Sequence, residues 1–224
     1  MTAPVLASGL ALIFDMDGVV INSNPLHREA WTAFNRRYGV ETTGEMLARM
    51  YGRRNDEIVR DFFGDGLTVA EVVARGAEKE QMYREMLEGR LEEALTPGLR
   101  PFLDSHSNAP TALATNAEPS NVNFLLDRAH LRPYFRVVVS GDQVRNPKPH
   151  PEIYLKAADL LGVAPSNCIV FEDSYVGVEA ALAAGMRVVG VCTTHDDLPG
   201  TGITVHNFVS GSLREWLAAQ ACLL

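Results

Sequence analysis

Short apolar runs rich in β-branched residues recur along this chain, and polar, helix-like segments separate most of them. A continuous apolar run bounded by turn signals is typical of a strand that is buried on both faces of a sheet. The runs that fit this description are Leu10–Phe14, Thr111–Thr115, Arg136–Ser140, Cys168–Phe171 and Arg187–Cys192, with a weaker sixth run at Ile203–Val205. We therefore predict a sheet built from these runs.

Helical patterns lie between the later runs. They cover Pro119–His130, Pro151–Leu161 and Tyr175–Ala184, and Gly185 follows the last pattern as a helix C-cap. Strands that alternate with helices are joined by right-handed crossovers and form a parallel sheet. The predicted fold class is therefore α/β, with a doubly wound parallel sheet.

The segment between the first two runs departs from this alternation, because residues 24–95 contain helical patterns and no convincing strand. The patterns are Pro25–Tyr38, Asn55–Phe63 and Val69–Leu91. A crossover needs about a dozen residues or more, and this segment is several times longer. We predict an inserted α-helical cap domain at residues 24–95 and a core domain formed by residues 1–23 and 96–224. Extra helices packed on the sheet are the alternative.

The composition is that of an ordinary globular protein. Of the 224 residues, 46% are hydrophobic and 21% are charged, and the formal net charge is -8. This negative charge disfavours nucleic acid and anionic membranes as partners. The first apolar run ends in Asp15 without a basic segment before it, and no stretch is long enough to span a bilayer. We therefore expect neither a signal peptide nor a membrane span.

The three cysteines are far apart in the sequence. Cys168 and Cys192 lie in strand-like runs, and Cys222 lies near the C-terminus. No CxxC pattern or Cys/His spacing indicates a zinc site. We expect reduced thiols and a cytoplasmic protein, with a monomer as the favoured oligomeric state.

Polar residues follow four of the predicted strands, at the end where ligands bind in open α/β sheets. They are Asp15 and Asp17, Thr115 and Asn116, Lys148, and Glu172 and Asp173. Each group has a structural alternative, namely a turn or helix cap, an exposed loop lysine, and a solvated helix N-terminus. Because all of them belong to one edge of the sheet, we predict that they form a single site.

Asp15 and Asp17 pose an electrostatic problem, since two neighbouring carboxylates repel each other unless a proton or cation lies between them. Mg²⁺ fits best, because it binds one or two carboxylates together with substrate phosphate oxygens. No imidazole or thiolate cluster of the kind that zinc favours is evident. The alternative is that Asp17 and Gly18 form a simple turn.

Four short stretches resemble the motifs of a known superfamily. "DMDGV", "LATN", "KPHPEIY" and "FEDSYVGVEAALAAG" resemble, in this order, the four motifs of the haloacid dehalogenase superfamily. Their spacing and the helical insertion after the first motif resemble its β-phosphoglucomutase-like branch. The resemblance implies a Rossmann-like core with a helical cap. It also implies a Mg²⁺-dependent phosphohydrolase that acts through an aspartyl-phosphate on a small phosphorylated metabolite, with sugar phosphates favoured.

The resemblance also implies roles for the residues at the strand ends. Asp15 matches the nucleophile that attacks phosphorus, and Asp17 matches the acid/base that protonates the leaving oxygen and then activates water. Thr115 and Lys148 match the groups that hold the transferring phosphoryl group. The implied metal ligands are Asp15, Asp17 through its backbone carbonyl, Asp173 and Glu172.

Further matches concern the substrate. The predicted substrate-binding residues are Asn116, His27, Arg54 and Lys79. Arg53 is an alternative to Arg54, and a solvated helix face is the alternative for Lys79. For Trp31, next to His27 in "HREAW", core packing is favoured over substrate contact.

Two other functions compete with hydrolysis. A phosphomutase of the same branch carries Ser-Lys-Asn where this chain has Ala117, Glu118 and Pro119. An acid at the place of a phosphate-binding lysine should repel a second phosphate, so hydrolysis is favoured over the mutase reaction. A catalytically silent binding or regulatory module is also possible on this fold. It is disfavoured because the nucleophile, the second aspartate and the metal-binding acids are all present.

Overall fold

A computed structural model describes residues 9–221 of the protein, so that Cys222 lies outside the described residues. Six parallel strands form one sheet in the order β3-β2-β1-β4-β5-β6. The strands are β1 (Ala11–Phe14), β2 (Thr111–Ala114), β3 (Val137–Val139), β4 (Cys168–Glu172), β5 (Arg187–Val191) and β6 (Ile203–Val205). Each of the six predicted runs corresponds to a strand, although β4 extends one residue beyond its run to Glu172, and the predicted doubly wound α/β fold is confirmed.

The central strand β1 explains why the strands read as continuous apolar runs. All four of its residues are fully buried, and alternate side chains enter different clusters. Leu12 and Phe14 join one apolar cluster, whereas Ala11 and Ile13 join another. The sheet is therefore covered on both faces, as the helical segments between the strands require.

Ten α-helices accompany the described part of the sheet. Those of the core are α6 (Leu99–Ser105), α7 (Pro119–Arg128), α8 (Glu152–Leu161), α9 (Tyr175–Ala183) and α10 (Gly211–Ala221). Those inserted after β1 are α1 (Asn24–Arg37), α2 (Gly44–Ala48), α3 (Asn55–Phe63), α4 (Val69–Glu88) and α5 (Leu91–Ala94). Within residues 9–221, no helix combines the length and the apolar character needed to cross a membrane.

The inserted helices have an apolar cluster of their own. It includes Trp31, Phe34, Ile58, Val59 and Phe62, all buried. This arrangement is that of a helical cap beside the sheet, although the predicted bounds of the two domains stay a prediction. Trp31 packs within this cluster, in agreement with the core packing favoured for it from the sequence. It also borders the cavity between the sheet and the inserted helices.

The chain leaves the sheet and returns to it along neighbouring segments. Ile21 forms an antiparallel bridge with Leu95, and the Asn22 amide donates to the Ala94 carbonyl at 2.7 Å. The Thr96 amide donates to the Val20 carbonyl at 3.1 Å. The two connections to the cap therefore lie side by side.

Candidate active site

The predicted site residues all line one cavity of about 460 Å³ between the strand ends and the cap. This volume is in the range of small-molecule binding sites. The core contributes Asp15, Asp17, Thr115, Asn116, Lys148, Glu172 and Asp173, and the cap contributes His27, Arg54 and Lys79. The structure therefore brings the predicted residues of core and cap together around this cavity, and their roles as a site stay a prediction.

Lys148 joins two of the acids. Its Nζ donates to Asp15 Oδ1 at 2.6 Å and to Glu172 Oε1 at 2.7 Å, and the lysine is 6% exposed. Burial opposes the charged ammonium, but the two carboxylates outweigh it and raise the pKa of Lys148 above its usual value. The alternative of an exposed loop lysine is therefore wrong.

Glu172 is held by donors on both carboxylate oxygens. Besides Lys148, the Tyr154 hydroxyl donates to Oε1 at 2.8 Å. Oε2 accepts from the Asp173 amide at 2.8 Å, from the Ser174 amide at 2.9 Å and from the Ser174 hydroxyl at 3.0 Å. Burial alone would raise the pKa of Glu172, but Lys148 and these hydrogen bonds lower it. Glu172 is fully buried, so a solvated helix N-terminus is also wrong.

Three buried acids form a group that fits a metal ion. One ligand oxygen from each of Asp15, Glu172 and Asp173 lies within 4.8 Å of the others. Burial and the neighbouring carboxylates raise the pKa of Asp15 to about 7, even though Lys148 opposes this shift, and they raise the pKa of Asp173 well above its usual value. A hard divalent cation would relieve this repulsion, and the all-carboxylate donor set suits Mg²⁺. Because Glu172 is saturated by protein donors, Asp15 and Asp173 are the more available ligands.

Two glycines make room for these acids. Gly18 has a φ of +83°, and a Cβ there would lie 1.8 Å from Asp173 Oδ2. A Cβ on Gly177, in the first turn of α9, would lie 1.7 Å from Glu172 Oε1. Neither position therefore accepts a side chain without displacing a carboxylate of the site.

Asp17 is oriented by residues of the connection to the cap. Its Oδ1 accepts from the Ser23 hydroxyl at 2.6 Å and lies 3.4 Å from His27 Nε2. The side chain of Asp17 is 25% exposed, which leaves it open toward the cavity. The second carboxylate of the "DMDGV" motif is thus held apart from the buried acid group.

His27 connects Asp17 to the cap helix α4. Lys79 Nζ lies 3.1 Å from His27 Nδ1, and the imidazole stacks on Tyr83 with 3.8 Å between the ring centroids. An ammonium group can only donate, so Nδ1 accepts and the ring proton lies on Nε2, toward Asp17. Lys79 is 1% exposed, and a solvated helix face is therefore wrong for it.

Glu80 is a buried acid that the sequence analysis missed. It accepts hydrogen bonds from Asn55 at 2.7 Å and from Asn121 at 2.6 Å, and it forms an ion pair with Lys79. Burial favours its neutral form, but the Lys79 ammonium and the hydrogen bond from Asn121 outweigh burial and lower the pKa of Glu80 to about 2. No local signal distinguishes Glu80 from the other acids of α4, because its partner Asn121 belongs to the core.

The two candidate arginines differ in their surroundings. Arg53 is engaged within the cap by Glu57 at 3.3 Å and by Asp61 at 2.9 Å. Arg54 instead reaches the core, where Nη2 donates to the carbonyl of Val144 at 3.0 Å and to that of Gly141. Arg54 Nε is buried and has no hydrogen-bond partner within the described residues.

Thr115 and Asn116 follow β2. The Thr115 hydroxyl accepts from the Ala117 amide at 3.1 Å. It therefore also stabilises a local turn, which was the structural alternative for this residue. The Asn116 side chain donates to the Gly52 carbonyl at 2.8 Å and accepts from the Lys148 amide at 3.3 Å. Asn116 thereby links the cap, its own loop and the segment that carries Lys148.

Glu118 is paired, which the sequence analysis did not anticipate. Arg84 Nη1, from α4 of the cap, donates to Glu118 Oε1 at 3.0 Å. The carboxylate is therefore not the free negative charge that was expected at this wall of the cavity. The ion pair joins residues 34 positions apart, and their spacing in the sequence holds no sign of it.

Comparisons with known proteins agree with this geometry. The family model of the haloacid dehalogenase-like hydrolases matches residues 10–185. Fructose-1-phosphate phosphatase YqaB of Escherichia coli K12 is 34% identical over 180 residues, covering 80% of this chain and 95% of its own. A phosphorylated carbohydrates phosphatase of Thermotoga maritima is 35% identical over 195 residues, covering 84% and 87%. The chain belongs to the haloacid dehalogenase-like hydrolases, among the phosphatases of that family.

A solved structure extends the likeness to the cap. The β-phosphoglucomutase of Clostridium difficile matches with a TM-score of 0.83 over 96% of this chain and 99% of its own, at 24% identity. At this level of identity the likeness shows the fold alone. The resemblance to the capped branch of the superfamily is thus confirmed at the level of the fold.

Proposed function

We propose that the protein is a Mg²⁺-dependent phosphohydrolase that removes the phosphate from small phosphorylated sugars through an aspartyl-phosphate. The observation that carries this proposal is the placement of two different carboxylates in one cavity. Asp15 is buried against Lys148, whereas Asp17 is more exposed and held by Ser23 and His27. Unequal surroundings allow one acid to attack while the other moves protons.

In the first step, an oxygen of the Asp15 carboxylate attacks phosphorus. The bond from phosphorus to the sugar oxygen breaks, and Asp17 gives its proton to that leaving oxygen. Lys148, at 2.6 Å from Asp15 Oδ1, and Thr115 would hold the phosphoryl oxygens and offset their charge. The products are the free sugar and a phosphoryl group on Asp15.

In the second step, Asp17 is a carboxylate and acts as a base. It takes a proton from a water molecule, whose oxygen attacks the phosphorus bound to Asp15. The phosphorus–oxygen bond to Asp15 breaks, and inorganic phosphate leaves. The hydrogen bond from Ser23 and the contact with His27 orient the Asp17 carboxylate. This orientation supports its role as the acid in the first step and as the base in the second.

Asp15 and Asp173 would hold the Mg²⁺, with Glu172 and the backbone carbonyl of Asp17 as the other proposed contributors. When bound, the ion supplies positive charge against the phosphoryl oxygens and separates the two buried carboxylates. Asn24 supports Asp173 by donating to its Oδ2 at 3.2 Å, which fixes the direction of this carboxylate.

The cap residues would recognise the sugar. Arg54 is the better candidate of the two arginines, because its Nε lacks a partner among residues 9–221 while Arg53 is engaged by Glu57 and Asp61. Lys79 and His27 would act mainly through Asp17, and Asn116 would complete the wall near Thr115. Free thiols at Cys168 and Cys192 support the cytoplasm as the compartment. The monomer stays a prediction.

A screen of phosphorylated metabolites tests the proposal. With Mg²⁺ present, we expect inorganic phosphate to be released from sugar monophosphates such as fructose 1-phosphate, on which the Escherichia coli relative acts by its name. Glucose 1-phosphate should not be isomerised efficiently to glucose 6-phosphate. Efficient isomerisation with little free phosphate would instead establish the mutase, and inactivity toward every phosphate ester would favour the silent module.

Chelation and substitution of Asp173 test the metal. We expect EDTA to abolish phosphate release and Mg²⁺ to restore it, with Ca²⁺ a poor substitute because its larger coordination sphere disturbs the in-line geometry. Asp173→Asn should raise the Mg²⁺ concentration needed for half-maximal rate by about tenfold or more, since a charged ligand is lost. Full activity of either protein in excess chelator would exclude the proposed metal.

A further inference from the structure

A buried tyrosine of α8 packs against the ammonium group of Lys148. Tyr154 is fully buried, and Lys148 Nζ lies over its ring at 4.8 Å from the ring centroid. At this distance the face of the ring attracts a cation. The Tyr154 hydroxyl donates to Glu172 Oε1 at 2.8 Å, and the same oxygen accepts from Lys148 Nζ at 2.7 Å. Tyr154 therefore contacts both members of the ion pair between Lys148 and Glu172.

The Tyr154 hydroxyl acts as a donor and stays out of the cavity. Burial and the carboxylates of Glu172 and Asp15 raise the pKa of Tyr154 well above its usual value, so the hydroxyl keeps its proton. Among residues 9–221, those that line the cavity include Lys148 and Glu172 but not Tyr154. Any effect of the tyrosine on a bound substrate therefore passes through its neighbours.

The hydrogen bonds of Lys148 leave one of its donors free for a ligand. An ammonium group has three N–H donors, and Asp15 Oδ1 and Glu172 Oε1 accept from two of them. The side chain of a lysine is long and flexible, so the ammonium is fixed by what it contacts at its far end. The direction of the remaining N–H bond thus depends on where Glu172 and the Tyr154 ring hold the ammonium.

We propose that Tyr154 is a positioning residue whose hydroxyl holds Glu172 against Lys148, so that the remaining N–H bond of the lysine is presented to the phosphoryl group. The inference rests on the proposed function, in which Lys148 offsets the charge on the phosphoryl oxygens. Preorganised charge of this kind acts mainly on the transition state. A displaced ammonium therefore slows the reaction more than it weakens substrate binding.

Two other roles of the hydroxyl would have different consequences. If it only satisfies a buried carboxylate, its loss lowers the melting temperature and leaves turnover unchanged. If it acts on the metal through Glu172, its loss raises the Mg²⁺ concentration needed for half-maximal rate. Positioning of Lys148 instead lowers kcat, and it does so only while the ammonium is present.

Tyr154→Phe removes the hydroxyl and keeps the ring that packs against Lys148. Glu172 also keeps its donors on Oε2, so the variant should fold. With fructose 1-phosphate and with p-nitrophenyl phosphate, a general phosphatase substrate, kcat should fall by about tenfold or more, as for other hydrogen-bond partners that orient active-site groups. KM and the half-maximal Mg²⁺ concentration should stay within about twofold.

A second background shows whether Tyr154 acts through the lysine. In Lys148→Met protein, Tyr154→Phe should lower kcat no further, because the group that it positions is gone. Tyr134→Phe is the matched control, since it removes an exposed hydroxyl that donates to Asp104 Oδ1 at 2.7 Å. Its kcat should equal that of the wild type, and thermal unfolding checks that every variant is folded.

The inference is supported by a loss of kcat that disappears in the Lys148→Met background. An unchanged kcat, a rise in KM alone, a raised Mg²⁺ requirement or a loss that persists without Lys148 overturns the inference, while the proposed phosphatase stands. A wild-type protein that releases no phosphate from any ester overturns both.

Discussion

Asp15→Asn should reduce the rate of phosphate release by about a thousandfold or more while the protein stays folded. An amide is too weak a nucleophile to attack phosphorus, although its shape fits the position of the carboxylate. The side chain would also keep an oxygen that can accept from Lys148, so the melting temperature should change little. Steady-state phosphate release and thermal unfolding measure the two effects.

Asp142→Asn is the matched control for this prediction. Asp142 lines the same cavity and accepts from the Ser140 hydroxyl at 2.6 Å, a bond that an amide oxygen preserves. We expect near-wild-type rates for this variant. An acid quench during turnover should also trap phosphate on the wild-type protein but not on Asp15→Asn. Near-wild-type turnover by Asp15→Asn would rule out the aspartyl-phosphate.

Lys148→Met should lower both activity and stability. The ammonium lies within 2.7 Å of an oxygen of Asp15 and of Glu172, and its loss leaves two buried carboxylates without their counter-charge. Breaking such a pair costs about 3–5 kcal/mol of the free energy of unfolding. Loss of a charged group that holds the phosphoryl oxygens should reduce kcat by about a hundredfold or more. Denaturant unfolding in EDTA measures the stability without interference from bound metal.

The stability loss of Lys148→Met should depend on pH in a definite direction. Burial already raises the pKa of Asp15 to about 7, and without Lys148 it should rise further. A carboxyl group whose pKa is raised on folding binds more protons in the folded state, so it destabilises the protein as the pH rises. The deficit should therefore be largest above pH ~7 and shrink toward pH ~4.

Lys156→Met is the control for the lysine substitution. Lys156 Nζ donates to the Gln143 carbonyl at 2.8 Å on the surface, and its loss should cost less than about 1 kcal/mol. If Lys148→Met were as stable as Lys156→Met across this pH range, the buried ion pairs would not be what holds Asp15 and Glu172.

The core of the site could be located from the sequence because parallel strands all end at one edge of the sheet. Asp15 and Asp173 each lie just after an apolar run that predicts a buried strand. Because the carboxyl ends of parallel strands share one edge in any strand order, the two residues are expected to lie close together. The sequence also predicts that positive charge lies near these acids, since neighbouring carboxylates repel each other without it. What the pattern left open was their burial, which depends on how closely the cap covers them.

Contacts between distant helices, both within the cap and between cap and core, could not be predicted from the sequence pattern. Lys79 and His27 are 52 positions apart, and both face the cavity only because α1 packs against α4. The pairing of Arg84 with Glu118 arises in the same way. Spacing within a helix reports which residues share a face, but it holds no information on which helix that face meets.

Four helices of the structure, namely α2, α5, α6 and α10, were not predicted from the sequence, and the reasons are local. α2 and α5 bury none of their residues, so they show no apolar stripe that a pattern could reveal. α6 is only seven residues long and contains Pro101. Among residues 211–220 of α10, the buried apolar residues are Leu213 and Leu217, and two positions four apart are too few to indicate a helix.

The side-by-side course of the two connections has a consequence for how this architecture diversifies. Since Ile21 pairs with Leu95, the polypeptide departs from the sheet and rejoins it at almost the same point. Whatever lies between these residues can be lengthened, shortened or exchanged without altering the path of the strands. Under the proposed function, in which cap residues recognise the sugar, substrate preference is therefore free to drift or to be re-engineered by grafting. The phosphoryl chemistry at the strand ends would be inherited unchanged.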